Sequence, residues 1–164
     1  MKKLLVILII LTVCLSGCFN NGSVTNHSPS TSFIFDGTQN FTNVIDNEMK
    51  LIEVYINDVK TPFSRDNQVE AFKDIYTIKF DKEMVSGTGA PNLYSAPYSL
   101  GDNQTISIMM MRSTLMASFL EPNDLSEYEF FGYVQNSIEW RIVNNTLELN
   151  SKRDNDAVKL VFGL

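Results

Sequence analysis

Nucleophilic and metal chemistry need particular side chains, and few of them occur in this chain. His27 is the only histidine among 164 residues, and it sits in a run of small polar residues from Asn20 to Ser32. The only cysteines are Cys14 and Cys18. Ser-His-Asp and Cys-His catalysis therefore lack a well-placed base, and a histidine or cysteine zinc site lacks a ligand set. Carboxylates are more numerous, with 19 Asp and Glu. Asp154-Asn155-Asp156 lacks the glycine and the distal glutamate of a calcium loop. Asp81 and Glu83 flank the end of a strand-like run, and Glu127 and Glu129 fall in the first turns of a helical stretch, where solvent and the helix dipole account for them. Gly87-Thr88-Gly89 lacks the lysine of a phosphate loop and reads as a tight backbone turn. These residues imply no catalytic group, no metal and no cofactor, and the expectation is a protein that is not an enzyme.

Cys18 carries a different chemistry. Met1, Lys2 and Lys3 form a basic start, and Leu4 to Leu15 form an apolar run broken only by Thr12. As a helix that run spans roughly 18 Å, short of the ~30 Å hydrocarbon core of a bilayer. It ends in Leu15-Ser16-Gly17-Cys18, which resembles the bacterial lipobox, in which the cysteine receives a diacylglyceryl group after cleavage on its N-terminal side. Residues 1–17 are expected to be a lipoprotein signal peptide, and 18–45 the lipidated cysteine and a flexible polar tether. The implied address is the cell envelope, with the membrane engaged through the Cys18 lipid. Phe19, where an aspartate would favour retention at the inner membrane, points to the outer membrane or cell surface.

One further group could bind a ligand. Thioethers adapt to varied apolar partners, and Met109, Met110 and Met111 are followed closely by Met116. If Thr105 to Met110 is a strand, Met109 and Met111 share a face, and Met110 joins Ile106 and Ile108 on the other. Met109, Met111 and Met116 are accordingly the candidate residues facing an apolar ligand.

These groups must be held by short strands, because the chain beyond the tether alternates apolar and polar residues between turn clusters. The clearest runs are Tyr76–Phe80, Thr105–Met110, Glu139–Val143, Thr146–Leu149 and Ala157–Phe162. Asn144-Asn145 and Asp154-Asn155-Asp156 suit the reversals that make the last three a meander, with Trp140, Ile142, Leu147, Leu149, Val158, Leu160 and Phe162 on one face. One segment has helical spacing instead: Leu125, Tyr128 and Phe131, with Phe130 and Val134, behind an Asp124-to-Glu127 capping box. Net charge is −6, and loss of Lys2 and Lys3 with the signal segment makes the remainder more acidic, which disfavours a nucleic-acid partner. Its length suits one domain.

Three stretches, Met84–Tyr98, Ser113–Ser118 and Glu127–Phe131, in this order and before the closing meander, resemble the META domain family of HslJ-like lipoproteins. The resemblance runs from about Met49 to Leu164 and assigns 46–164 to that domain. It implies a mainly β (α+β) fold, a small antiparallel sheet curled into an incomplete barrel around one helix. It implies no cofactor. Pro91 and Ser118 stand where relatives commonly carry cysteines, so any thiol role of those relatives is missing, and Met49 replaces a frequent tryptophan. The family's likeness to secretin pilot lipoproteins that hold acyl chains implies binding of an apolar ligand (lipid) or of an envelope protein partner. Its link to heat shock implies the alternative, a structural or stress-response interaction module with no small-molecule site.

Overall fold

Asn40 caps a 3-10 helix, Phe41–Val44, by accepting a hydrogen bond from the Thr42 amide at 3.0 Å, and beyond it the chain is mostly strand. The computed structural model describes residues 40–65, 70, 73–117 and 124–163. Among them run β1 (Glu48–Ile56), β2 (Val59–Lys60), β3 (Thr77–Phe80), β4 (Met84–Thr88), β5 (Leu93–Leu100), β6 (Ile106–Ile108) and β7 (Arg112–Ser113). The helix α1 (Glu127–Gln135) follows, then β8 (Ser137–Val143), β9 (Thr146–Arg153) and β10 (Asp156–Gly163).

All strand pairs are antiparallel, in the order β6-β5-β4-β3-β1-β10-β9-β8, with β2 paired to β1 and β7 to β5. The two ends of this order meet: Thr105 bridges to Glu139, and the Trp140 amide donates to the Gln104 carbonyl at 2.9 Å. Among the described residues the sheet is thus a nearly closed antiparallel barrel with a single α-helix, in agreement with the strand periodicity and with the fold that the resemblance implies. Closure leaves few open edges, which keeps backbone donors from pairing with other chains.

Alternate burial marks strands such as β6 and β9, and a bulge changes its parity. In β1, Met49 and Leu51 are buried, the register slips between Leu51 and Glu53, and Val54 becomes the next inward side chain. The closing meander matches its sequence pattern. Asn144 and Asn145 both take left-handed φ, 48° and 67°, as a two-residue hairpin turn requires. Trp140, Leu147, Leu149, Val158, Leu160 and Phe162 are buried, and Ile142 packs against them.

The core is aromatic. Phe130 of α1 meets Tyr76 at 4.7 Å, Tyr94 at 5.9 Å and Phe162 at 6.4 Å between ring centroids. Phe41 meets Phe80 and Trp140, both at 5.0 Å. Tyr76 holds a left-handed φ of 51°, costly for a bulky residue. Its hydroxyl donates to the Leu125 carbonyl at 2.5 Å, tying the start of β3 to the approach to the helix.

Two expectations about boundaries change. The folded part begins before residue 46, because Phe41 and Val44 lie one 3-10 turn apart and both enter the core. The helix starts two residues later than the Asp124-to-Glu127 pairing suggests. Ser126 is its N-cap, accepting from the Glu129 amide at 3.2 Å, while the Glu129 carboxylate accepts from the Ser126 amide at 2.9 Å. Both pairs fit the capping-box spacing, and tertiary packing chooses between them. Leu125, just before the cap, is buried, as is Phe130 at the fourth helical position, the arrangement of a hydrophobic staple. The buried stripe is accordingly Phe130, Tyr133 and Val134, and Tyr128 points outward.

Candidate functional site

The methionine segment is shaped by a second bulge. Tyr98 pairs with Ile108 on one side of it and Ser95 with Arg112 on the other, so Met109, Met110 and Met111 oppose only Ala96 and Pro97. The extra residue reverses the parity. Ile106 and Ile108 remain buried as expected, but Met110 does not follow them inward and is 82% exposed. Met109 is exposed, and Met111 becomes the one that packs against the core. The Met109 amide donates to the Pro97 carbonyl at 2.9 Å, and the Met111 amide to the Gln135 side-chain oxygen at 3.1 Å.

The three candidate methionines do not converge. Met109, with Met110, Met84 and Pro97, lines an open groove of about 390 Å³ whose remaining walls are Ser95 and Arg112. Met111 lines a different cleft of about 350 Å³ between β7 and α1, with Phe131, Tyr128 and Arg153. Met116 lies farther along the chain, half of its surface exposed, beside Leu115 at 98% exposure.

Met116 is held by a polar clamp built on Asn92. That buried side chain accepts from the Thr114 hydroxyl at 2.8 Å and the Met116 amide at 2.6 Å, and donates to the Met116 carbonyl at 3.0 Å. Its amide nitrogen also donates to Glu127 at 2.7 Å. Glu127 further accepts from the backbone amides of Ala90 at 2.5 Å and Asn92 at 2.7 Å. It is therefore no member of a solvated acidic face. Sequence reasoning missed this pair because its 35-residue separation leaves no trace in periodicity. The nearest signal was that both residues fall within the stretches resembling one family.

The glycines of the same loop also serve packing instead of turning. Neither Gly87 nor Gly89 has positive φ. Gly87 is inside β4, where a Cβ would collide with the Thr77 carbonyl. At Gly89 a Cβ would fall 2.5 Å from the Glu127 carboxylate and 2.6 Å from the Phe131 ring. The loop is glycine-rich so that the clamp and helix can approach it. The Ala90–Pro91 peptide is cis.

Electrostatics at the helix start argue against acid catalysis there. Hydrogen bonds from the Ser126 hydroxyl and amide, with help from Arg153, hold the Glu129 carboxyl below its ordinary value against the opposing effect of burial. A general acid needs the opposite shift. Among the described residues no group of three His, Cys, Asp or Glu could hold a metal ion, and no helix is long and apolar enough to cross a membrane. Cys18, the proposed lipidation site, and Ser118 lie outside the described residues.

No protein-family model and no curated protein matches the sequence. Solved structures do share its shape. A protein from Burkholderia xenovorans, solved by NMR, superposes with a TM-score of 0.54 at 18% identity, over 74% of this chain and 83% of that one. A DUF4847 family protein from Bacteroides vulgatus superposes at 0.46 and 13% identity, over 73% of this chain and 93% of its own. The first likeness establishes a shared fold.

Proposed function

We propose that this is a lipid-anchored envelope protein of the META type whose β-domain is non-catalytic and binds an apolar group of an envelope protein partner. Cys18 supplies the anchor and the segment Met109–Met116 supplies the binding edge. One observation carries the reading: the bulge turns Met109 and Met110 outward beside an open groove, while the core behind them is filled with side chains. Exposed thioethers suit a partner of variable shape. Large exposed apolar patches mark interaction sites in soluble domains, and Leu93, Leu115 and Met116 are likewise exposed.

The test is co-purification of the full-length chain from gently solubilised host membranes, beside a Met110→Ser, Leu115→Ser variant. A stoichiometric protein that accompanies the natural chain and is lost from the variant supports the reading. Retention of that protein by a folded variant contradicts it. Palmitate labelling tests the anchor: Cys18→Ser should abolish incorporation and move the protein out of the membrane fraction.

Binding of a lipid is the second reading, favoured by the apolar lining of the same groove. Native mass spectrometry followed by denaturing extraction separates the two. A stoichiometric lipid besides the covalent anchor would replace the protein partner as the ligand.

A further inference from the structure

Arg153, at the end of β9, reaches back over the helix. Its guanidinium carbon lies 4.8 Å from the centroid of the Tyr128 ring and 5.7 Å from that of Tyr133. The seat is made by Gly132, where a Cβ would come within 2.6 Å of a guanidinium nitrogen. Tyr128 is 77% exposed, an aromatic ring left in water and stacked on a cation.

Such placement ordinarily serves an ion pair, because a guanidinium carries five donors in a fixed fork. Two other arginines use theirs. Arg65 donates to the carbonyls of Leu51, Lys73 and Ile75, and Arg141 pairs with Glu139 at 2.9 Å. Arg153 is half-buried and held by two rings, yet it makes no hydrogen bond or ion pair among the described residues. Its fork is oriented and unspent.

Two hollows flank it. One, of about 480 Å³, is acidic, with Glu129, Asp154 and Asp156 in its wall. The other is the 350 Å³ cleft between β7 and α1, which no carboxylate lines. There the Gln135 oxygen is taken by the Met111 amide, which leaves the Gln135 nitrogen free to donate into the cleft. Ser113 adds a hydroxyl, and Phe131, Met111 and the Tyr128 ring supply an apolar floor.

We infer that this cleft binds a small amphipathic monoanion, a carboxylate carried on an apolar body. The carboxylate meets the Arg153 fork, with Gln135 and Ser113 as further donors, and the apolar body lies across Phe131 and Met111. Planar bidentate pairing is the geometry for which a guanidinium suits a carboxylate. The acidic hollow on the far side of Arg153 disfavours a second negative charge, which selects a monoanion over a phosphate dianion. This site shares no lining residue with the Met109 and Met110 groove. Met111 and Ser113 do belong to the proposed binding edge, but Arg153, Gln135 and Phe131 do not, so loss of the carboxylate in Arg153→Gln and loss of a protein partner in the Met110→Ser, Leu115→Ser variant are separate results.

The test uses the full chain in lipid nanodiscs, with empty discs as the blank, and 3-phenylpropionate as probe. The neutral 3-phenylpropanol and inorganic phosphate are the comparisons. Saturable binding of the carboxylate is expected, with the alcohol weaker by about tenfold or more and phosphate weaker still. Arg153→Gln should lose about tenfold or more while keeping its thermal unfolding transition, and Arg153→Lys should lose less. Gly132→Ala, which retains the charge but occupies the guanidinium's seat, should weaken binding several-fold and covers the case in which Arg153→Gln does not fold. Equal binding of acid and alcohol, unchanged binding in a folded Arg153→Gln protein, phosphate binding as tight as carboxylate, or no saturable carboxylate binding up to ~10 mM would each overturn the inference.

Discussion

Glu127 carries more structure than its place on a short helix suggests. Its carboxylate receives two backbone amides and the Asn92 side chain, and Asn92 in turn fixes Thr114 and Met116. Removing a group that satisfies several partly buried donors leaves them unpaired. Glu127→Ala should therefore cost about 2–3 kcal/mol, read as a lower midpoint in denaturant with Trp140 fluorescence as the probe. Asn92→Ala should cost a similar amount. A loss near zero in both would mean that the clamp does not hold the 114–116 strap. Gly87→Ala belongs to the same region. Its methyl group would meet the Thr77 carbonyl across β3 and β4, and a loss of about 2–4 kcal/mol is expected. The sequence made Glu127 and Gly87 visible as residues and misread both. A carboxylate at a helix start usually faces water, and a Gly-x-Gly usually turns. Only the fold shows that each is answering a neighbour from a distant part of the chain.

At the scale of elements, the start of the helix offers a clean comparison. Ser126→Ala should cost about 1 kcal/mol, and Asp124→Ala, at an exposed turn position, less than about 0.5 kcal/mol. The reverse ranking would restore the earlier start. Glu129 adds a pH dependence. Its folded carboxyl is held low by Ser126, so the stability it contributes is complete above the unfolded value and is lost as pH falls through the folded value. The difference between the natural chain and Ser126→Ala should shrink on acidification below about pH 5, as chemical denaturation at a series of pH values would show. The C-terminal meander was legible because strict alternation and the Asn144-Asn145 turn agree. The methionine segment was not. One unpaired residue in a bulge reverses every later side chain, and nothing in Met109-Met110-Met111 marks where that residue lies. β1 is marked by the resemblance that starts at Met49, not by strict alternation, because its inward residues change parity between Leu51 and Val54.

At the scale of the whole fold, the sheet closes on itself among the described residues around an aromatic core, and the proposed binding edge lies on its surface. The stretch Met109 to Met116, with Met109, Met110, Leu115 and Met116 exposed, is attached to the core by a bulge at one end and the Asn92 clamp at the other. Under the proposed function, a lipid at Cys18 would confine the domain near the membrane and so raise the effective concentration of an envelope partner. The fold class could be read from periodicity because a small barrel repeats one pattern strand after strand. The proposed binding edge could not, because exposure of those methionines depends on a register that only the paired strands define. Site-specific photo-crosslinking of the full chain in intact host cells would probe the proposed edge, with the photoreactive residue placed at Met110, at Leu115, and at the exposed Val59 and Ile138 as controls. One discrete protein adduct shared by positions 110 and 115 and missing from both controls is expected. Adducts of equal strength at all four positions, or only lipid adducts at Met110, would contradict it.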